Sequence, residues 1–572
     1  MIMEEGILLV FIIVILSVIG YISYKKIIKI DNIKKLNKKV SKLQDELLND
    51  KELDFKQKEF FVFLSVTDTN KKAYVTNSKS ITLNKAIELA RAKMEMKLKE
   101  NRINPKWVKI DVVNEKNIIT QEKLVEELNV KENYYRKGIS FDDNFNIALL
   151  DSELNANEII DYEAKEIQKE NLNKYLETKF KYGETIESLS NEIITFTTVG
   201  YIYDTKKIEK LNTEENTGRR NIKRIDELAL VEIIEGASEY LIDTVKEDGE
   251  FIYRYTPVTD RISKSYNMLR HEGTTWSMCE AYRLTKSKEL KENIELAVKF
   301  VVDNYIRYKD ANTVYIKEYD TNEIKLGANG IGILMLIEYM ETFKTDEYKE
   351  LVLKLGNGIS AMQNEDGSYY HVYMYPEFSK YEAYRTVYYD GEATFALAKL
   401  YGYTKDEKYL KMAEKALNHF YKNNYEQYRD HWIEYSVNEV TKYSPKKEYF
   451  ELGLKNVRDN LAKIVKKETP NPTNLELLTK GLEIYDRAKE NGVTLEGLEI
   501  DDLVSAIYDR ADVQLNGLFY PEYAMYFTNP KRIVNSFFIR DEKFRIRIDD
   551  VQHNINGYYN MYTLYKLLNK YE

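Results

Sequence analysis

Apolar residues recur at helical spacing from about residue 223 to the end of this 572-residue chain. A repeat of three to four residues predicts amphipathic helices that turn one face to a core. Short polar turns, such as those at 285–287 and 344–346, separate these segments and favour a series of helical hairpins. The predicted helices cover residues 225–245, 274–283, 288–305, 328–341, 349–362, 393–401, 407–420, 435–442, 447–465, 475–491, 504–510 and 552–568.

Three of these helices follow polar segments that contain a glycine, namely Gly273, Gly327 and Gly391. Helix N-termini carry unpaired backbone N–H groups and therefore bind anions or polar groups. Repeated hairpins either stack into an open solenoid or close into a ring. About six hairpins with aromatic insertions on one rim favour closure, so residues 223–572 are predicted to form a mainly α catalytic domain, an α/α toroid with a funnel.

The segment 58–222 has a different pattern and is predicted to be an α+β domain. Alternating apolar residues predict strands at 60–66, 72–76 and 107–113. Thr82 is predicted to cap a helix over residues 83–99. Since this segment has no phosphate loop, metal-ligand spacing or nucleophile motif, a scaffold or interaction module is the simplest hypothesis for its role.

The N-terminus contains an uncharged run over residues 6–24. A helix of this length spans the roughly 30 Å hydrocarbon core of a bilayer. Residues 1–25 are therefore predicted to be a single-pass anchor in the cell membrane, and the preceding Glu4 and Glu5 argue against a cleaved signal peptide. Lysines cluster between residues 25 and 42, so the positive-inside rule favours cytoplasmic soluble domains, with an extracytoplasmic location as the alternative.

Residues 26–57 follow this run and are predicted to form a helical spacer. Ile33, Leu36, Val40, Leu43 and Leu47 repeat every three to four residues. The alternative to a solvated spacer is a short coiled coil over residues 33–47 that joins two copies in a homodimer.

Composition excludes several classes of function. A net charge of -9 argues against nucleic acid as a partner. The single cysteine, Cys279, excludes a disulfide framework and a multi-thiolate zinc site. Glycine-rich nucleotide motifs and the common histidine metal motifs are missing from the sequence, so we predict neither a cofactor nor a metal site.

Three segments, 269–290, 326–355 and 388–417, resemble the hairpins of the six-hairpin, (α/α)6-toroid carbohydrate-active enzymes. That superfamily includes glycoside hydrolases, polysaccharide lyases and sugar epimerases. The resemblance covers about residues 223–572 and implies a glycan or sugar conjugate as the substrate.

Four of the five histidines lie in polar, aromatic-rich loops or near helix starts: His271, His371, His431 and His553. Histidine is the side chain best suited to proton transfer near neutral pH. Alternatively, each histidine caps a helix or bonds a buried backbone group.

Carboxylates near the same helix starts compete for the acid and base roles. Glycoside hydrolysis uses two carboxyl groups that flank the scissile bond. Asp390 paired with Glu272 or Asp550 is the favoured combination, although Asp390 is also a natural helix cap. We expect at least four of the six candidate catalytic residues to line one funnel. These are His271, Glu272, Asp390, Glu392, Asp550 and His553.

Aromatic and arginine side chains are the candidates for substrate binding. Aromatic faces stack on sugar rings, and arginines bind carboxylate or phosphate groups through paired hydrogen bonds. The alternatives are core packing and ion pairs with neighbouring acids. The candidates are Tyr255, Arg270, Trp276, Tyr370, Arg385, Tyr388, Tyr389, Trp432 and Arg547.

The sequence thus predicts a membrane-anchored enzyme that acts on a glycan, with glycoside hydrolysis as the leading reaction. A sugar epimerase or a polysaccharide lyase is the alternative on the same fold. A non-catalytic module for glycan binding or envelope assembly is the alternative from a different class.

Overall fold

The computed structural model describes residues 30–53, 57–129, 133–180, 185–187, 189–213 and 217–571. The chain divides into two compact units. The first comprises residues up to Ile222 with Pro257–Thr259 and Tyr520–Val534, and the second comprises Lys223–Thr256, Asp260–Phe519 and Asn535–Glu572. The main boundary coincides with the predicted one, but the second unit is not contiguous in sequence, because a late segment folds with the first.

The predicted membrane span over residues 6–24 lies outside the described residues. Among the helices that are described, none combines the length and the apolar character needed to cross a bilayer.

The described residues contain twenty α-helices and seventeen strands, numbered here in chain order. The helices are α1 (30–48), α2 (Leu83–Asn101), α3 (Gln121–Glu127), α4 (Asp151–Ala156), α5 (Lys169–Lys179), α6 (Glu227–Ile242), α7 (Met268–Thr285), α8 (Lys288–Tyr305), α9 (Leu326–Phe343), α10 (Lys349–Met362), α11 (Tyr388–Thr404), α12 (Glu407–Lys422), α13 (His431–Thr441), α14 (Lys447–Val465), α15 (Pro472–Glu490), α16 (Ile500–Gln514), α17 (Pro521–Ala524), α18 (Pro530–Ile533), α19 (Ile548–Thr563) and α20 (Tyr565–Tyr571). The strands are β1 (Phe60–Thr67), β2 (Tyr74–Ser80), β3 (Trp107–Thr120), β4 (Gly138–Ser140), β5 (Ala148–Leu149), β6 (Ile160–Asp161), β7 (Glu166–Ile167), β8 (Glu192–Tyr203), β9 (Ile208–Lys210), β10 (Arg254–Thr256), β11 (Arg261–Ile262), β12 (Ile306–Tyr308), β13 (Val314–Ile316), β14 (Glu323–Lys325), β15 (Val372–Met374), β16 (Ser379–Glu382) and β17 (Ile546–Arg547).

The first unit is built on an antiparallel sheet with the strand order β2-β1-β3-β8-β4-β5, in which β9 also pairs with β8. Helices α1 and α2 share a hydrophobic core with β1, β3 and β8. A second core is formed by α3, α4 and α5 with β4 to β8. Thr82 caps α2 by accepting a hydrogen bond from the backbone N–H of Lys85, which confirms the predicted cap.

Helix α1 packs differently from the predicted solvated spacer over residues 26–57 and from the alternative, a coiled coil. Its apolar residues Leu36, Val40, Leu43 and Leu47 are fully buried in the same core as the sheet. Since this apolar face already packs within the first unit, it is not available for the predicted homodimer.

Six helices of the second unit form a closed ring, in which α7, α9, α11, α13, α15 and α19 contact one another in turn and α19 returns to α7. A second layer, formed by α6, α8, α10, α12, α14 and α16, packs against this ring. Nearly every residue of α9 up to Met340 is buried, whereas α8 buries only one face. The second unit is therefore an α/α toroid of six helical hairpins, which confirms the fold predicted for residues 223–572.

The outer helices match their predicted bounds better than the inner ones. Helices α8, α10 and α14 begin and end where the periodicity placed them. Helix α7 instead begins at Met268, α11 at Tyr388 and α13 at His431, several residues before the predicted starts. The inner helices are buried on most sides, so their first turns lack the amphipathic periodicity on which the prediction depended.

The close packing of the ring also explains two of the glycines. A Cβ atom on Gly327 would lie 2.0 Å from Oε2 of Glu392, and one on Gly391 would lie 2.5 Å from Cβ of Trp432. These glycines allow close approach of neighbouring inner helices, which is a packing role rather than the anion-binding role that the sequence suggested.

Candidate functional site

A cavity of about 490 Å³ lies at the N-terminal ends of the inner helices in the second unit. This volume is typical of small-molecule sites. Helices α7, α11, α13, α15 and α19 each contribute residues from their first turns or the loops just before them. The lining residues are Asn267, Leu269, Arg270, Gly273, Ile331, Thr386, Tyr388, Tyr389, Glu392, Tyr428, Arg429, His431, Trp432, Asn471, Thr473, Asp549, Gln552 and His553.

The cavity brings together only some of the predicted site residues. Of the six candidate catalytic residues, Glu392 and His553 line it, so the expectation that at least four would do so is wrong. Of the predicted binding residues, those that line the cavity are Arg270, Tyr388, Tyr389 and Trp432.

His271 is buried beneath the cavity and both of its ring nitrogens are bonded. The Tyr266 hydroxyl lies 2.7 Å from Nδ1 and donates to it, while Nε2–H donates to the Ala297 carbonyl at 2.9 Å. Burial lowers the pKa of this imidazole to about 4. His271 therefore joins α7 to α8 as a neutral structural group.

Glu272 is also buried, and in the described part of the chain neither of its carboxyl oxygens has a hydrogen-bond partner. Burial raises its pKa well above the ordinary value, and the nearby Glu318 and Glu392 carboxyls raise it further. At neutral pH Glu272 is a protonated acid inside the ring and away from the cavity wall.

Asp390 lies in the first turn of α11, where it bonds within the protein. Its Oδ1 accepts from Nε2 of His371 at 3.1 Å, and its Oδ2 accepts from the Tyr425 hydroxyl at 3.2 Å. Nδ1 of His371 in turn accepts from the backbone N–H of Arg385 at 2.9 Å. This chain of bonds fixes the segment before α11 and uses both nitrogens of His371.

Asp550 has a structural position at the start of α19. Its Oδ2 accepts from the backbone N–H of Arg547 at 3.0 Å and from Nη1 of Arg545 at 2.7 Å. Burial, and after it the charge of Asp549, raises the pKa of Asp550 to about 7, although the two arginines oppose the rise. It caps the helix instead of facing the cavity.

The remaining predicted binding residues pack or pair elsewhere in the second unit. The Trp276 ring lies 6.0 Å from Trp432 in an aromatic cluster inside the ring. Tyr255 is buried and donates to Asp260 at 2.7 Å. Tyr370 packs on Tyr373 and Arg385 pairs with Glu323 and Glu382, all outside the cavity lining. Arg547 does not line the cavity either, but it pairs with Asp549, which does.

His553, on the second turn of α19, is oriented by a buried glutamate. Its Nδ1 lies 2.7 Å from Oε1 of Glu476, and Oε2 of Glu476 accepts from the Tyr435 hydroxyl at 2.9 Å. Burial alone would lower the pKa of His553, but the Glu476 carboxylate and then Asp549 raise it above its usual value. The ring is thus held as an imidazolium with Nε2 directed away from Glu476.

His431 is the first residue of α13 and lies against His553. The two ring centroids are 5.3 Å apart with the planes at 78°. Nε2 of His431 has no hydrogen-bond partner in the described part of the chain. Burial lowers the pKa of His431 well below its ordinary value, and the positive charge of His553 lowers it further. His431 is therefore a neutral imidazole with a free ring nitrogen.

Two carboxyl groups on the cavity wall have opposite protonation states. Burial raises the pKa of Glu392 well above its ordinary value, and the Asp430 carboxyl raises it further. Burial would also raise the pKa of Asp549, but Arg270 and Arg547 lower it. Nε of Arg270 and Nη2 of Arg547 donate to Oδ2 of Asp549 at 2.7 and 2.8 Å.

His431, Glu476 and His553 also have the geometry of a metal-ligand set, since one ligand atom of each lies within 4.8 Å of the others. Two imidazoles and a carboxylate are donors that zinc accepts. A metal ion there would have to displace the hydrogen bond between His553 and Glu476. The sequence did not predict this set, because its members come from α13, α15 and α19.

Arg429 lines the cavity and was not predicted, and neither was Glu476, which contacts His553 from outside the lining. His431 and Asp549 also line the cavity; the sequence marked them only as one of four polar histidines and as one of the acids near a helix start. His431 had a visible signal, since Asp430 before it is a typical N-cap and places the histidine in a first turn. Glu476 had none, because it lies within a long helix and reaches the site only through the closure of the ring.

The chain is similar to several solved structures in fold. They include a D-mannose isomerase (10% identity, 61% of this chain and 99% of that chain, TM-score 0.47). Another is the cellobiose 2-epimerase from Bacillus thermoamylovorans (11%, 59% and 99%, TM-score 0.46). A third is the GH76 alpha-mannanase from Bacteroides thetaiotaomicron (12%, 60% and 98%, TM-score 0.43).

No protein-family model and no curated protein matches the chain. Because the identities are 10–12% and the TM-scores are below 0.5, these similarities assign no reaction to the chain.

Proposed function

We propose that the second unit is a sugar isomerase or epimerase that moves a proton at the carbon next to a carbonyl group. The observation that carries this proposal is the contact between a neutral imidazole, His431, and a charged one, His553, on the wall of one cavity. General acid–base catalysis needs one group that accepts a proton and one that donates it at the same pH.

His431 is suited to be the base. Its pKa is lowered, so the ring is neutral at physiological pH, and its Nε2 has no partner among the described residues. In the proposed step Nε2 takes the proton from the carbon beside the carbonyl, and the electron pair of that C–H bond moves towards the carbonyl oxygen.

His553 is suited to be the acid. Glu476 holds its ring and raises its pKa, so that the ring carries a proton to give to the carbonyl oxygen. For the isomer, the enediol takes a proton at the former carbonyl carbon, while the hydroxyl group on the original carbon gives its proton to the neutral His553 and becomes the new carbonyl. For the epimer, the enediol takes a proton at the original carbon from the other face, while the former carbonyl oxygen returns its proton to His553. Neither outcome consumes water or an oxidant.

The rest of the wall fits a polyhydroxylated ligand. Tyr388, Tyr389 and Trp432 present aromatic surface, and Asn267, Asn471, Thr473 and Gln552 present hydrogen-bonding groups. Polar groups can hydrogen-bond the hydroxyl groups of a sugar, while aromatic faces pack against its ring. These features support a reducing sugar as the substrate.

Glycoside hydrolysis, the leading reaction from the sequence, is the second candidate. Glu392 is protonated and Asp549 ionised on the same wall, which are the states that an acid and a base require. Asp549 is the weaker element, because its carboxylate is bonded by two arginines that reduce its basicity. The pair favoured by the sequence, Asp390 with Glu272 or Asp550, does not reach the cavity.

A labelling experiment separates these reactions. The full-length protein is incubated in D₂O with a panel of reducing mono- and disaccharides, and products are analysed by proton NMR and mass spectrometry. We expect deuterium at the carbon next to the carbonyl and, in H₂O, a product of unchanged mass.

Other results would exclude the proposal. A gain of one water identifies a hydrolase, and an unsaturated product identifies a lyase. Binding without any turnover would support the alternative of a non-catalytic glycan-binding or assembly module.

Membrane anchoring is proposed on the sequence alone. The support is the uncharged run over residues 6–24 and the lysines that follow it. Protease added to intact cells should leave the two units uncut if they face the cytoplasm. Digestion from outside would make an extracytoplasmic polysaccharide the better substrate.

A further inference from the structure

Arg429 differs from the other charged residues of the cavity, because its guanidinium has no hydrogen-bond or ion-pair partner in the described part of the chain. The residue is half-buried and has a left-handed backbone (φ 52°) between the 3-10 helix Tyr425–Tyr428 and α13. Arg270, by contrast, donates to Asp549 and to the Tyr253 hydroxyl. Arg429 is thus the cavity arginine that is free to bind a ligand.

Two further cations lie near Arg429. Burial lowers the pKa of Lys467, and the charges of Arg429 and Arg510 lower it further. Arg510 is buried and donates to the carbonyls of Ile464 at 3.3 Å and Thr469 at 2.9 Å, rather than to a carboxylate. The ammonium group of Lys467 is therefore repelled by both arginines.

Two acids close to Arg429 do not neutralise it: Asp430, the next residue in the chain, and Glu392, on the same cavity wall. Burial raises the pKa of Asp430 to about 8, so this carboxyl is largely protonated at neutral pH. Burial also raises the pKa of Glu392 well above its ordinary value. The guanidinium of Arg429 is consequently a positive charge on the cavity wall that an anion would offset.

The cluster adjoins the proposed catalytic pair. The Tyr388 ring lies 6.3 Å from the ring of His431, and Arg429 is close enough to oppose the rise that burial and Asp430 cause in the pKa of Tyr388. Arg429, Tyr388 and His431 all line the same cavity. One ligand can thus contact both the arginine and the imidazole.

We propose that Arg429, with Lys467 beside it, binds a carboxylate or phosphate group of the sugar, so that the substrate is an anionic saccharide. This inference rests on the proposed function, since it assumes that the reacting carbon of the same molecule lies at His431 and His553. It differs from the sequence-based expectation of an anionic glycan, which rested on Arg270, Arg385 and Arg547, because all three of these are paired within the protein.

Calorimetric titration of the full-length protein in a detergent without a sugar headgroup tests the inference. The probes are D-glucose, D-glucuronate and D-glucose 6-phosphate, which share a ring and differ at carbon 6. We expect at least one anionic probe to bind about 10-fold or more tightly than glucose, and the better anion identifies the group. Arg429→Gln should remove this preference and leave glucose binding unchanged.

Arg458→Gln is the matched control, because Arg458 pairs with Asp459 and does not line the cavity. Equal binding of all three probes to the unaltered protein would overturn the inference, and so would a preference that survives Arg429→Gln. Retained glucose binding in Arg429→Gln shows that the variant is folded.

Deuterium exchange on the same three sugars separates this inference from the proposed function. If an anionic sugar binds more tightly but no deuterium is exchanged, the anion site is supported and the isomerase activity is excluded. If glucose exchanges deuterium but no anionic sugar binds more tightly, the isomerase activity is supported and the anion site is excluded.

Discussion

The second unit contains two pairs of histidines that differ in what their ring nitrogens contact. His271 and His371 have both nitrogens bonded to protein atoms. His431 and His553 both line the cavity, and the Nε2 of His431 has no hydrogen-bond partner among the described residues. The comparison teaches that an available ring nitrogen, rather than burial or closeness to a helix start, distinguishes a candidate catalytic histidine from a structural one.

Replacing either cavity histidine should have the largest effect. His431→Asn or His553→Asn is expected to lower kcat about 10²- to 10⁴-fold, because each removes a proton-transfer group. Steady-state kinetics on the best sugar of the panel measures this, and thermal unfolding checks the fold. His419→Asn, on the outer helix α12, is the matched control. If the activity of either variant stayed within a few-fold of that of the unaltered protein, that histidine would not be catalytic, and the two pairs of histidines would not differ in function.

Replacing a structural histidine should affect stability instead. His271→Ala removes the hydrogen-bond partner of the Tyr266 hydroxyl and of the Ala297 carbonyl. It also creates a small cavity. The expected loss is about 2–4 kcal/mol in the free energy of unfolding, with little change in kcat for the folded fraction. Urea unfolding measures the loss, and His419→Ala should cost less. If His271→Ala lowered kcat without lowering the free energy of unfolding, His271 would have a catalytic role.

The pH profile gives a sharper test of the cavity pair. Activity requires neutral His431, so it falls as pH drops through a pKa that is lowered, and it requires charged His553, so it falls as pH rises through a pKa that is raised. Glu476→Gln removes the carboxylate that raises the pKa of His553. We expect the alkaline limb of kcat/KM to move to lower pH, with about a 10-fold loss at that end. An unchanged alkaline limb would contradict the role of Glu476.

Glu272 is a buried acid to which we assign no catalytic role, in contrast to His431 and His553. Its titration should therefore affect stability and not activity. Its pKa is raised in the folded state, so the folded protein keeps a proton that the unfolded chain releases above its own pKa. Stability is therefore lost as pH rises, by about 1.4 kcal/mol per pH unit for one group. Glu272→Gln should flatten the dependence of urea unfolding between pH 5 and 8, while exposed Glu292→Gln should not. A slope that persists would mean that another group causes it.

Removal of metal should have the smallest effect. Since Nδ1 of His553 is already bonded to Glu476, we expect a chelator to change kcat by less than about 2-fold, as the acid–base roles need no ion. Added zinc should inhibit, because it would occupy His431, Glu476 and His553. If a chelator abolished activity and zinc restored it, His431 and His553 would be metal ligands instead of an acid–base pair.

The sequence predicted the outer layer of the toroid well. The bounds of α8, α10 and α14 follow from an amphipathic repeat, which arises because an outer helix has one face in the core and one in water. The same repeat predicted a helix over residues 33–47, but not that its apolar face packs on the sheet of the first unit.

The sequence alone determined the toroid. It also predicted Glu392 and His553 as site residues, along with Arg270 and several aromatic residues, and these residues line the cavity. Only the tertiary structure decided which polar side chains face the cavity. Inner helices are buried on most sides, so neighbouring residues such as His271 and Glu272 point into the ring while Arg270 lines the cavity. The contact of Glu476 with His553 joins α15 to α19, and no local pattern encodes a distance between residues 77 positions apart.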